Sequence, residues 1–258
     1  MSPPEHPVRT QVDEDGSLLR VTLARPSANI LDIEMIEALR AAVAGPGSAR
    51  ELKSILFDAE GKHFSFGASV EEHGPEEVDR MLPVFHTLFR ELAASGKILL
   101  AAVSGLCLGG GLELVSFCHR IFARPGSQFG NPEIKLGVFA PLASVVLPHR
   151  VGQPVADDML LTGRNLGADE ALSVRLIDQL AEDPAAAATA WHRDHIAPLS
   201  ALAVRHAVGA ARMRLHRDLD QALREIEERY LKELMRSHDA AEGITAFLEK
   251  RAPVWKHA

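Results

Sequence analysis

Three consecutive glycines, Gly109-Gly110-Gly111, stand between the apolar run Ile98–Val103 and the apolar run Leu112-Glu113-Leu114-Val115. A backbone stretch without Cβ atoms can turn sharply and lie close against a ligand or another segment. The order predicts a buried strand, a glycine turn and a helix that begins near Gly110. The first N–H groups of such a helix have no partner inside it, and its dipole makes that end positive. This suits a phosphate or a developing oxyanion. The run lacks the Gly-Lys-Ser/Thr ending of a phosphate-binding P-loop and the spacing of a dinucleotide fingerprint, so nucleotide chemistry is disfavoured. Taken alone, a glycine triplet is equally well a tight packing turn.

Glu113 narrows the choice. It lies three residues past Gly110, about one helical turn, so its carboxylate can share a side with the free N–H groups. A carboxylate among Leu112, Leu114 and Val115 is costly to bury unless paired or protonated. Glu133 follows Asn131-Pro132 in a second apolar setting, ahead of Ile134 and Leu136. One such glutamate is commonly a paired core residue; two near one glycine turn fit a general acid/base pair.

The rest of the chain reads as strands alternating with helices, then helices alone. Strands are expected over residues 18–23, 52–57, 98–103 and 121–123. Asp32 is placed to cap a helix over 32–43, and a longer one is expected over 75–94 with Pro83 inside it. Pro154 suits the first turn of a short helix. Further helices are expected over 184–196, 199–215, 217–235 and 240–250. Leu219, Leu223, Ile226, Tyr230 and Leu234 form a stripe at spacings of three and four, which reads as core or subunit interface.

Other chemistries find little support. The 258 residues include 47% hydrophobic and 24% charged side chains, which is globular composition, and a net charge of -7 disfavours nucleic acid as main partner. Two cysteines, Cys107 and Cys118, leave no disulfide framework and fit a reducing, cytoplasmic setting. Residues 1–15 carry no apolar signal core, and 98–117 is too interrupted by glycine and Glu113 to span a membrane. The 12 histidines form no zinc motif, so no metal is expected. Ser104 and Ser116 lack a nucleophile-elbow context.

Taken in order, several segments resemble the enoyl-CoA hydratase (crotonase) family across nearly the whole chain. They are Arg25-Pro26 with Asn29; Phe64-Ser65-Phe66-Gly67-Ala68-Ser69; Ala101-Ala102-Val103-Ser104-Gly105 leading into Gly109-Gly110-Gly111-Leu112-Glu113; Phe129-Gly130-Asn131-Pro132-Glu133-Ile134; and Glu242-Gly243 through Arg251. The resemblance implies an α/β spiral of ββα units over 1–198, with a helical region over 199–258 that forms trimers, commonly paired as hexamers. It implies an acyl-CoA substrate and no separate cofactor, coenzyme A being part of the substrate. The oxyanion hole would be the N–H groups of Ala68 and Gly110, and Glu113 and Glu133 would flank a water molecule.

Substrate contacts are implied at Arg25, Phe64, Phe66, Gly67 and Gly109, and from a neighbouring subunit at Phe247 and Lys256. Two departures from the family pattern stand out. Ser69 replaces the usual Asp, and residues 137–144, including Val138 and Phe139, replace a glycine-rich stretch that shapes the acyl pocket. The run from Phe64 to His73 is most similar to the branch that hydrates cyclohexa-1,5-diene-1-carboxyl-CoA by 1,4-addition, in anaerobic benzoyl-CoA degradation. Alternatives within the fold are a generic enoyl-CoA hydratase, an isomerase or a hydrolase. A non-catalytic RNA-binding member is a further alternative, disfavoured by the acidic chain and by retention of both glutamates.

Overall fold

The computed structural model describes residues 6–74 and 77–258. Nine strands and ten α-helices are present among them. The main sheet contains β1 (Val8–Val12), β2 (Leu18–Leu23), β3 (Ser54–Ala59), β4 (Ile98–Val103), β6 (Arg120–Ala123) and β9 (Gln179–Leu180), with β5 (Leu106–Leu108) between β4 and β6 in the chain. The main-sheet order is β1-β2-β3-β4-β6-β9, with β1 antiparallel to β2 and every later pair parallel. A second sheet joins β5, β7 (Gln128–Gly130) and β8 (Asn165–Gly167). The expected strand 52–57 begins two residues later, because Leu52 and Lys53 are still in the approach to the sheet.

Parallel strands need cover on both faces, so they carry apolar side chains in unbroken runs. Leu56 and Phe57 are both fully buried on opposite faces. Phe57, Ile55 and Val103 join the large core formed with α1 (Ile33–Ala44), α2 (Val78–Ser95) and α3 (Gly110–Phe117). Leu56, Leu100 and Phe122 face the other way, toward Ala188 and Trp191.

Asp32 caps α1 by accepting from the Met35 N–H at 2.8 Å, as its position before an apolar periodicity predicts. The expected start of α2 at Pro75 lies outside the described residues. From Pro141 the chain is mostly helical: α4 (Pro141–Val151), α5 (Gln153–Thr162), α6 (Ala168–Ser173), α7 (Pro184–His195), α8 (Ala201–Ala211), α9 (Met213–Glu228) and α10 (His238–Leu248). The expected helices 199–215 and 217–235 are divided elsewhere. The break falls at Arg212, whose guanidinium donates to the carbonyls of Phe117 and Cys118 at the end of α3. After Glu228 the helix widens into one π-helical turn, Arg229–Glu233.

Among the described residues no helix is long and apolar enough to cross a membrane. Cys107 and Cys118 are free and buried.

Candidate active site

The glycine turn is held from three sides. The Gly109 N–H extends the second sheet by donating to Gly130 O at 2.9 Å, and Gly109 itself adopts φ 51°, ψ -129°. That conformation is one an L side chain rarely adopts, and a Cβ there would stand 3.0 Å from Glu133 Oε1. Next, α3 starts at Gly110. The loop 65–68 is pinned by bridges between Ser65 and Cys107 and between Leu31 and Ala68. In the second bridge Leu31 N–H donates to Gly67 O and Ser69 N–H donates to Leu31 O. The Ala68 N–H therefore points to the opposite side, where a Cβ on Gly110 would lie 3.2 Å from the Ala68 nitrogen. Neither the Ala68 nor the Gly110 N–H donates to any described residue.

These two N–H groups open on a cavity of about 80 Å³. Its walls are mainly apolar: Phe66, Val70, Met81, Leu82, Phe85, Leu136, Val138, Phe139 and Ile244. Four titratable side chains enter it, namely Glu113, Glu133, His73 and Tyr230.

Glu113 is 3% exposed, and its Oε1 accepts from the Ala143 N–H at 2.8 Å. The donor belongs to the first turn of α4, so the departing segment 137–144 delivers a helix N-terminus to this carboxylate. Burial raises the Glu113 pKa into the neutral range, and the nearby Glu133 adds to the shift, while the N–H groups of Ala143 and Leu142 oppose it.

Glu133 sits on the 3₁₀ turn Pro132–Leu136. Its pKa is also raised into the neutral range by burial, against the lowering effect of its own N–H and of Asn131. Asn131 Nδ2 stands 3.4 Å from Glu133 Oε1, and Glu133 Oε2 is buried with no hydrogen-bond partner. A buried acceptor left open is uncommon and marks a place where a ligand or water binds.

His73 shares its Nδ1 with Ser69 O at 2.6 Å; a carbonyl can only accept, so Nδ1 carries the proton and Nε2 is left as an acceptor. Burial lowers its pKa and keeps the ring neutral.

A groove adjoins the cavity, sharing Phe66, Ala68, Val70, Pro132 and Leu136 with it and continuing along Ile30, Lys135, Phe247, Arg251 and Pro253. The helix α10 reaches it because Gly243 packs directly on the Glu133 turn; a Cβ there would lie 2.1 Å from Leu136 O.

Most of the expected site residues meet here: Glu113, Glu133, Ala68, Gly110, Phe66, Gly67, Gly109, Val138 and Phe139 all line the cavity. Phe247, on α10, lines the groove of its own chain, and the tail folds back on α10 through Arg251 paired with Glu242 and Lys256 N–H donating to Asp239.

Two expected contact residues, Phe64 and Arg25, line neither this chain's cavity nor its groove. Phe64 is 1% exposed in the core, since residues alternate along the loop and Phe66 takes the outward position. Arg25 is turned away into ion pairs with Asp32 and Glu34. Lys256, expected to reach the site of a neighbouring subunit, is exposed on the tail. Sequence reasoning missed His73 and Tyr230 as cavity residues. His73 carries no local signal, and Tyr230 was absorbed in the apolar stripe, of which Leu219 and Leu223 are indeed core.

Comparison with known proteins fits this geometry. The enoyl-CoA hydratase/isomerase family model matches residues 13–258. A cyclohexa-1,5-dienecarbonyl-CoA hydratase of Thauera aromatica is 51% identical over 257 residues, covering 100% of both chains. A probable enoyl-CoA hydratase of Rhizobium meliloti is 35% identical, covering 95% of this chain and 97% of its own. Among solved structures, an enoyl-CoA hydratase/isomerase from Pseudoalteromonas atlantica superposes with a TM-score of 0.85 at 25% identity, covering 96% of this chain and 99% of that one. An enoyl-CoA hydratase from Bacillus halodurans shares the fold with a TM-score of 0.86, covering 93% and 99%. The chain belongs to the enoyl-CoA hydratase/isomerase family.

Proposed function

We propose that the protein hydrates a cyclic conjugated dienoyl-CoA, cyclohexa-1,5-diene-1-carbonyl-CoA, with Glu113 and Glu133 as the acid/base pair. The observation that carries the mechanism is the pair of carboxyls in one apolar cavity beside two free N–H groups. The ring substrate is supported by the full-length identity to the Thauera aromatica hydratase.

Burial raises both carboxyl pKa values, which suits one member of the pair to accept a proton and the other to donate one. The ionised carboxyl takes a proton from water as the water oxygen bonds to the carbon β to the thioester. The displaced π pair moves onto the α-carbon and the carbonyl oxygen, where the N–H groups of Ala68 and Gly110 meet the growing charge. In the ring it relays through the second double bond, and a proton lands on the ring carbon opposite the one attacked. One O–H bond and one π bond are lost, one C–O and one C–H bond are formed, and the remaining double bond stays conjugated with the thioester. The adjoining groove past Phe66 and Phe247 is open to the pantetheine arm.

Residues 199–258 act as the oligomerisation region in this reading, the chain forming trimers or pairs of trimers. Support comes from exposed Leu199, Leu202 and Met213 on and beside α8 and α9. Light scattering on the purified protein measures this directly.

The test of substrate is kcat/KM for the cyclic dienoyl-CoA against crotonyl-CoA under identical conditions. A large preference for the ring is expected. Preference for crotonyl-CoA discards the ring and leaves a generic hydratase.

A further inference from the structure

The two-glutamate reading leaves two polar side chains of the cavity, His73 and Tyr230, without a task, and Tyr230 is the one with an unpartnered donor. Tyr230 is 1% exposed, yet its side chain lines the same cavity as Glu113 and Glu133. Its hydroxyl makes no hydrogen bond to any described residue, and it is not sealed off as a buried orphan atom. A phenol placed in a core normally finds a protein partner for its O–H. Here the only place left for that O–H is the cavity.

The backbone is specialised at this point. The regular helix α9 ends at Glu228, and the π-helical turn Arg229–Glu233 carries Tyr230. Such turns re-aim a side chain relative to the helix before it and often occur at functional sites. Phe139 fixes the ring by an edge contact, with centroids 5.1 Å apart and planes at 83°. The neighbours Arg229, Lys232 and Glu233 are exposed, so Tyr230 is the one polar side chain of the turn directed inward.

We propose that Tyr230 is a positioning residue for the hydration, donating its O–H to the water that the ionised carboxyl of the Glu113–Glu133 pair activates. The inference rests on the two-glutamate reading. The groups facing Tyr230 across the cavity are Glu113 from α3, Glu133 from the 3₁₀ turn and His73 from the loop before α2; Glu227, one turn back, is engaged with His86 and Arg90 of α2. Burial first, and then the two glutamates, raise the Tyr230 pKa, so the phenol stays protonated and serves as a donor, not as a base. A neutral donor to that water strengthens the hydrogen bond the water makes to the carboxylate, and so favours the charged form. It holds the base ionised at a pH where burial alone protonates it.

The test is Tyr230→Phe, which keeps the ring and its packing on Phe139 and removes one oxygen. The expected result is kcat lowered on the order of 10-fold or more with KM little changed, since positioning acts in the transition state. The acid limb of the rate profile moves to higher pH, a change that loss of packing does not produce. Unchanged kcat together with an unmoved acid limb overturns the proposal.

A second measurement does not depend on a variant folding. The chain contains one tyrosine, so biosynthetic 3-fluorotyrosine labels position 230 alone. Its fluorine resonance is expected to titrate with the glutamate pair in the neutral range and to shift when acyl-CoA binds; a resonance that does neither overturns the proposal. If Glu113→Gln and Glu133→Gln both retain turnover, the underlying reading fails; if they lose turnover while Tyr230→Phe keeps it, this inference alone fails.

Discussion

The protein holds two polar clusters, one against α7 and one at the start of α3, and they are built in opposite ways. Against α7, His192 is 1% exposed, with Nε2 bonded to Ser17 Oγ at 2.8 Å and Nδ1 to Ser54 Oγ at 2.9 Å. Asp13 accepts there from the N–H groups of Ser17 and Leu18, and Lys53 N–H donates to Ser17 O. Each of these groups has its partner within the protein, and the cluster closes on itself. At α3, Glu133 Oε2, the Tyr230 hydroxyl and the N–H groups of Ala68 and Gly110 have none among the described residues. Burial alone is thus a poor guide to function. A closed polar cluster fixes the fold, whereas one left open toward a cavity is held ready for a ligand.

The comparison can be broken in order of effect. Glu113→Gln and Glu133→Gln are each expected to lower kcat by at least the roughly 10²–10⁴-fold typical of a general acid or base while acyl-CoA still binds, checked by steady-state rates and calorimetry. Near-normal turnover in either variant removes that residue from the chemistry. Gly109→Ala places a methyl 3.0 Å from Glu133 Oε1 on a strained backbone, so kcat should drop on the order of 10- to 100-fold through displacement of that carboxyl. A variant with wild-type kcat shows that the position of Glu133 is not set by this turn.

His192→Ala should do the reverse. Opening the closed cluster costs about 1–3 kcal/mol of stability in urea titration, with kcat per folded molecule unchanged. A rate loss there without a stability loss contradicts the division into closed and open clusters.

The smallest effect is on stability against pH. Glu113 has a folded pKa above its unfolded value, so between about pH 5 and pH 8 the folded state binds more protons and its stability falls as pH rises. Glu113→Gln should flatten that slope, giving a melting temperature that gains on the wild type toward alkaline pH. Parallel slopes show that the carboxyl ionises freely in the fold.

Much of this contrast is legible in the sequence, for local reasons. The start of α3 at Gly110 and the Asp32 cap are set by neighbouring residues, and both glutamates declare themselves by sitting in apolar runs. The rest depends on distance. The three-residue strands β5, β7 and β8 are too short to show an alternation, so the second sheet that clamps Gly109 is invisible before folding. The donor to Glu113 comes from Ala143, 30 positions away. Tyr230 keeps perfect helical spacing with the core residues around it, and only the π-helical turn separates its role from theirs. Arg25 lines neither the cavity nor the groove because Asp32 and Glu34, a few residues later, capture its side chain.

The most direct test of the account is the pH dependence of kcat/KM for hydration. If Glu113 and Glu133 share the acid/base work with both pKa values raised toward neutrality, the profile is a narrow bell with both limbs in the neutral range. Each single glutamine variant then loses the bell along with the rate. A profile that stays flat from about pH 5 to pH 9 contradicts the account, because no ionisation of the open cluster then governs the reaction.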